Sequence, residues 1–251
     1  MSEQSQGPGW WQASDGVYYP PESHPDEAYR AQFATTPGSP PMAYGETSTA
    51  IADAGTLTTY PARLIVNRDQ NIARWRVFAH GIMLIPHFLI AYVIGAVANV
   101  CILISWFAIV FTGRMPEGLH NIIAMSVRYS HRITGYALFM TEQYPPFEFA
   151  AQADDPGDYP PIRADFDYEA EDRNRLTTFF RFFMIIPHLI VLMFIMIAAY
   201  VIVIILWWAV LITGRVPDGI ANFLIGLGRW ANRVNAYASL LTDEYPPFSF
   251  D

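Results

Sequence analysis

Hydrophobic positions along this chain gather into two long runs divided by polar stretches. Residues 81–111 and 182–212 each extend 31 residues, and their only ionisable side chains are His87 and His188, apart from the thiol of Cys101. Uncharged apolar runs beyond about 18 residues read as membrane segments. Ahead of each run lies a short alternating stretch. In the first it is Tyr60-Pro61-Ala62-Arg63-Leu64-Ile65-Val66; in the second, residues 159–168 put Ile162, Ala164, Phe166 and Tyr168 on one face. Period-two alternation predicts a strand, and the two strands are expected to pair.

The pattern repeats. A shift of 101 residues lays the second half on the first without a gap from Arg74 to Phe149, with 28 of 76 positions identical. Ile85-Pro86-His87 meets Ile186-Pro187-His188, Thr112-Gly113-Arg114 meets Thr213-Gly214-Arg215, and Tyr144-Pro145-Pro146-Phe147 meets Tyr245-Pro246-Pro247-Phe248. Shared hydrophobicity alone does not place Pro, Gly and Arg in register, so the chain is a tandem duplication. The expected layout is a tail over 1–56, one membrane repeat over 57–149, a linker over 150–158 and a second repeat over 159–251.

Each repeat closes with a helix-length amphipathic segment. Asn121, Arg128 and Arg132 share one helical face in the first copy, and Asn222, Arg229 and Arg233 in the second. Crossing the bilayer would carry those arginines to its centre, so the segment is expected to lie at the membrane surface with Arg toward headgroups. A straight helix of 31 residues is about 46 Å long against roughly 30 Å of hydrocarbon. Arg74, Arg76 and Arg114 flank the first run, and Arg173, Arg175, Arg181 and Arg215 the second. Arg on both flanks favours two cytoplasmic ends, hence a helical hairpin turning near Gly95–Asn99; one helix kinked near Pro86 and Pro187 is the other form considered. The fold class expected is therefore an all-α membrane protein with minor β. It has two tandem repeats, each a short strand, a long apolar hairpin or kinked helix, and an interfacial amphipathic helix.

Composition narrows the chemistry. The mean hydropathy is +0.21, the formal net charge is −8, and all 15 basic residues are Arg. One cysteine permits neither an intramolecular disulfide nor a thiolate cluster, and no basic surface for nucleic acid is present. Residues 1–50 lack the basic-then-apolar opening of a signal peptide. The tail composition over 1–56 predicts disorder, except for residues 8–21, where Asp15-Gly16 between aromatic arms marks a hairpin. Trp10, Trp11, Tyr18 and Tyr19 there are the candidates for docking a partner. The acidic residues of 154–172, among them Asp154, Asp155, Asp158 and Asp165, read as a solvated linker.

The order Ile-Pro-His, apolar run, Thr-Gly-Arg-x-Pro-x-Gly, Arg-x-x-x-Arg, Tyr-Pro-Pro-Phe resembles the bacterial membrane family catalogued as domain of unknown function 4389. The resemblance covers residues 57–149 and again 157–251. It implies a membrane location and no established activity. The copies differ in places: Tyr129-Ser130-His131 stands where the second has Trp230-Ala231-Asn232.

Candidate sites are few. His87 and His188 are ionisable groups inside apolar runs, positions that are functional by default; convergence on a haem iron or another metal stands against interfacial His bonding a carbonyl freed by the neighbouring Pro. Arg114 and Arg215, with Arg128, Arg132, Arg229 and Arg233, are lipid-headgroup candidates. No phosphate loop, nucleophile elbow or zinc motif occurs, so no catalytic residue, metal or cofactor is expected. The expected function is that of a non-enzymatic multi-pass protein of the cell membrane with cytoplasmic termini, a scaffold or accessory subunit whose partners are the bilayer and another membrane protein. The alternatives are lipid handling or transport, and a haem- or metal-binding redox subunit.

Overall fold

The computed structural model describes residues 11–12, 18–19, 60–170 and 172–250. Strands β1 (Trp11–Gln12) and β2 (Tyr18–Tyr19) pair antiparallel within a unit separate from the rest, Trp11 opposite Tyr19 and Gln12 opposite Tyr18. This is where Asp15-Gly16 predicts a hairpin. The remainder of the 1–56 tail, and the expectation of disorder there, lies outside the described residues.

The main unit is mostly helical. β3 (Ala62–Val66) leads into α1 (Arg76–Met83) and α2 (Ile85–Thr112), followed by α3 (Glu117–Ala137). β4 (Ile162–Phe166) then leads into α4 (Arg175–Thr213) and α5 (Asp218–Ala238). Gly113 (φ 74°) and Gly214 (φ 70°) end α2 and α4 in the left-handed conformation that a side chain resists, the role of the Thr-Gly-Arg motif. Asn174 caps α4 by accepting the Leu176 and Thr177 N–H groups, both at 3.1 Å.

No hairpin forms in either apolar run. α4 continues through Pro187 for 39 residues, and α2 runs uninterrupted for 28. Gly95 and Asn99 stay helical, and the Asn99 side-chain amide donates to the Gly95 carbonyl at 2.8 Å. A turn within an apolar run leaves backbone donors and acceptors unpaired, which an apolar surrounding penalises by several kcal/mol each, whereas a helix satisfies them all. The proline has a different effect in each copy. Pro86 has no N–H to offer the preceding turn, and the helix breaks at Leu84; Pro187 leaves α4 unbroken. The turn ahead holds His80-Gly81 in the first copy and Arg181-Phe182 in the second, and glycine is the weaker helix former.

β3 and β4 pair antiparallel with Leu64 opposite Ala164 at the midpoint. The ladder is extended evenly at both ends, Asn67 N–H donating to Pro161 O and Asp167 N–H to Pro61 O, each at 2.8 Å. Each strand packs mainly on the other copy's amphipathic helix, β4 on α3 and β3 on α5. Tyr60 donates to the Glu244 carbonyl (2.8 Å) and Tyr159 to the Gln143 carbonyl (2.7 Å), two acceptors 101 residues apart. The copies thus exchange strands.

Three layers result: the long apolar helices, then α3 and α5, then the sheet. α3 runs antiparallel along α2, with Tyr136 against Met83 and Tyr129 against His87, and α5 lies along α4 in the same way through Tyr237–Met184 and Trp230–His188. The two long helices are antiparallel to each other. Trp106 donates to Thr178 O at 3.1 Å, while the equivalent Trp207 meets Phe78 edge-on at 5.6 Å. Only a narrow stripe of α2 and α4 is buried, and Tyr92, Leu89, Phe111, Phe182, Met193 and Tyr200 are among the residues left exposed.

Candidate functional site

The arginines of α3 do not face headgroups. Arg128 and Arg132 are 3% and 1% exposed, turned toward β4 and the segment before it. Arg128 donates through Nε to Ala164 O (3.1 Å) and through Nη2 to Ala153 O (2.7 Å). Arg132 Nη2 reaches Asp158 Oδ1 (2.7 Å) and Asp155 Oδ1 (3.2 Å). The Asp155 carboxylate is fully enclosed and also accepts the Gly157 and Ala164 N–H groups, at 2.8 and 3.1 Å. The expected solvated linker is therefore, at Asp155, a buried counter-ion. Burial pulls the Arg128 pKa below its ordinary value, and Asp155 beside it opposes that shift. In the second copy Arg233 is 6% exposed and donates to Ser249 O at 2.5 Å, and Arg229 is half-buried. For Arg128, Arg132 and Arg233 the expected lipid-facing role yields to an internal one, because a buried guanidinium with acceptors is far better solvated than an unpaired one.

His87 and His188 are fully buried, each enclosed by its own copy. His87 Nδ1 shares a 2.7 Å hydrogen bond with the Tyr129 hydroxyl, and its ring stacks on Phe147 at 4.3 Å. Trp230 Nε1–H donates to His188 Nδ1 at 3.3 Å, and that ring stacks on Phe248 at 3.8 Å. An indole only donates, so Nδ1 of His188 is the acceptor and the ring carries its proton on Nε2. The two rings lie in separate aromatic boxes and do not converge on a shared ligand. His80 Nδ1 bonds a carbonyl, Tyr136 O (2.9 Å), and at the equivalent position Arg181 reaches Tyr237 O (2.9 Å). Among the described residues, no three of His, Cys, Asp and Glu gather where a metal ion would sit. The Tyr-Pro-Pro-Phe segments supply the box walls. Tyr144 and Tyr245 also bond the Met83 and Met184 carbonyls at 3.0 and 3.2 Å.

Arg114 and Arg215 are exposed, as are Arg74 and Arg175, so each end of the long-helix pair carries two. Arg175 donates to Thr112 O at 3.0 Å. A polar cleft of about 410 Å³ opens there, lined by Thr112, Gly113, Arg114, Asp172, Arg173 and Arg175. Arg173 itself turns inward to Asp243 (2.8 Å) and Leu240 O (2.9 Å). Trp10 lies outside the described residues, and of Trp11, Tyr18 and Tyr19 only the strand backbone is described.

A set of contacts that recurs 101 residues on, and two helices long and apolar enough to cross a membrane, define a duplicated helical protein. The chain belongs to the family described as Domain of unknown function (DUF4389), whose model matches residues 74–148 and again 175–249. Comparison with curated proteins and with solved structures returned no match.

Proposed function

We propose that this chain is a non-catalytic membrane protein, a scaffold or accessory subunit on which another membrane component assembles. The observation that carries the reading is the contrast between its two sides. Between their ends the exposed surface of α2 and α4 is apolar but for Asn99, with Tyr92 80% and Phe111 72% exposed. The opposite side carries charge, including the Arg63–Asp167 pair at 2.6 Å. Exposed apolar surface of this extent calls for lipid or protein cover. The buried Arg128, Arg132, Arg173 and Arg181 side chains, by contrast, hold carboxylates or backbone carbonyls, and so lend themselves to structure rather than turnover.

A location at the cell membrane with both termini cytoplasmic fits the arginines at both ends of both long helices. The multi-pass form expected from the sequence rested on a hairpin or a kinked helix in each copy, and neither apolar run folds as a hairpin. Lipid handling is the second reading, favoured by the polar cleft at the α2–α4 junction. A haem or metal role draws no support from two separately boxed histidines.

Purification of the full chain in mild detergent, with an absorbance scan and identification of co-purifying molecules, tests the proposal. A colourless protein with a stoichiometric protein partner is the expected result. A Soret band abolished by His87→Ala and His188→Ala would make it a haem protein. A colourless chain carrying bound lipid alone would favour lipid handling.

A further inference from the structure

We infer that α2 and α4 do not cross the bilayer but lie flat in one leaflet, so that the main unit rests on the membrane through its apolar face. The inference uses the membrane location proposed above and is independent of the scaffold role.

The argument begins with tethers. Before α1, Asp69 accepts the Glu142 N–H (2.8 Å) and the Thr141 hydroxyl (3.0 Å), which joins the start of the first long segment to the end of α3. Beyond α2, Arg173 N–H donates to Gly113 O (3.1 Å) and Met115 N–H to Ala170 O (3.0 Å), which joins its other end to the lead-in of the second copy. Both ends of the long helix are thus held by one polar body. That body also runs beneath its middle, because α3 packs antiparallel along α2.

Suppose α2 stood upright. α3 would then cross as well, and Arg128, near its middle, bonds Ala164 at the midpoint of the β3–β4 ladder. The sheet would sit level with the bilayer centre, taking the partly exposed Arg63–Asp167 pair and the Arg132–Asp155 cluster with it. Insertion scales put a single charged residue at that depth at about 2.5–3.5 kcal/mol, and several would be carried together. If instead α2 crossed and α3 did not, the copies would face opposite sides, and the two strands could not pair as they do.

Lying flat removes both conflicts. The sheet and its charges face water, and the exposed faces of α2 and α4 meet acyl chains. Arg74, Arg114, Arg175 and Arg215 sit at the rim beside phosphate, where their charge complements an anionic headgroup. Length agrees. At 39 residues α4 is about 58 Å long, nearly twice the hydrocarbon thickness, which is a severe mismatch for a span and none for a helix in the plane.

The test uses the full chain with Cys101→Ser as background. Gln70→Cys and Glu117→Cys, exposed sites on either flank of the first long segment, are probed with a membrane-impermeant maleimide. Sealed right-side-out and inside-out vesicles of the expressing cell are compared. Both sites reacting in the same vesicle type is expected; one reacting in each type overturns the inference. Nitroxide labels at Phe78→Cys, Tyr92→Cys and Phe111→Cys then report depth in phosphatidylcholine–phosphatidylglycerol vesicles. Equal depths support a flat helix, and a maximum at residue 92 between shallow ends overturns it. Labels that stay water-accessible in vesicles sink the membrane location itself, a failure distinguishable from the first.

Discussion

His131 Nε2 lies 2.9 Å from Asn232 Oδ1, and the two residues occupy the same position in the two copies, 101 residues apart. Equivalent positions touch one another only across a two-fold relation, the isologous contact of a symmetric dimer. The same relation sets Leu64 opposite Ala164 in the ladder and makes Trp106–Phe179 and Phe78–Trp207 matching ring contacts at 5.8 and 5.6 Å. The duplicated chain is built as a dimer joined in one polypeptide, with the copies divergent even at the point where they meet.

That meeting point is sensitive to acid. Burial holds the His131 pKa down at about 4, although its bond to Asn232 pulls the other way. The group is neutral in the fold and has an unfolded value near 6.5, so its contribution is complete above about pH 6.5 and is lost as pH falls toward 4. His120, also depressed by burial, acts in the same direction. Thermal unfolding in detergent should show a loss of about 2 kcal/mol from His131 between pH 7 and pH 5. His131→Gln should flatten the profile and leave a residual slope; an unchanged profile would remove His131 from the account.

The carboxylates of the linker differ sharply in weight. Asp155→Asn leaves Arg132 and Arg128 buried beside a neutral group, and a broken buried pair typically costs about 3–5 kcal/mol. Asp167→Asn removes a half-exposed partner of Arg63, a surface pair worth about 0–1 kcal/mol. Denaturant titration of both variants should separate them clearly. Equal effects would mean that Asp155 is solvated after all.

Glycines distinguish a helix from a turn in the first apolar run. At Gly95 an added Cβ meets open space, and the backbone is helical. Gly95→Ala should therefore leave the fold intact or stabilise it by up to about 1 kcal/mol. At Gly226 an added Cβ would lie 2.9 Å from Phe250 Cβ and 3.0 Å from its carbonyl, so Gly226→Ala should cost about 1–3 kcal/mol by displacing the segment around Phe250. Melting temperatures of the two variants measure this. Loss of folding at Gly95→Ala would reinstate a turn.

The aromatic boxes predict a further loss. Tyr129→Phe deletes the hydroxyl that meets His87 Nδ1 and leaves a buried ring nitrogen unpaired, at a cost of about 1–3 kcal/mol. Burial beside Tyr144 pushes the Tyr129 pKa up to about 12, so the hydroxyl stays protonated through any ordinary assay. Chemical denaturation against wild type is the measurement, and no change would mean that the bond contributes nothing.

Much of this architecture was legible in the sequence, and the reason is periodicity. Uncharged runs, a register shift of 101 and period-two strands are local or repeated signals, and they located the copies, the apolar segments and the strand pair. Pairing partners distant in sequence were not legible. That Arg128 and Arg132 share a helical face follows from spacing; that the face meets Asp155 and Ala164 instead of headgroups depends on where strand exchange lays β4. The hairpin failed because flanking charge constrains the side on which helix ends lie and says nothing about the path between them, whereas continuous backbone hydrogen bonding favours one unbroken helix. Sequence by itself determined a duplicated chain with two long apolar runs. Only the tertiary structure decided that the copies exchange strands, that the arginines turn inward, and that the polar and apolar layers lie on opposite faces, because contacts across 20 to 180 residues set all three.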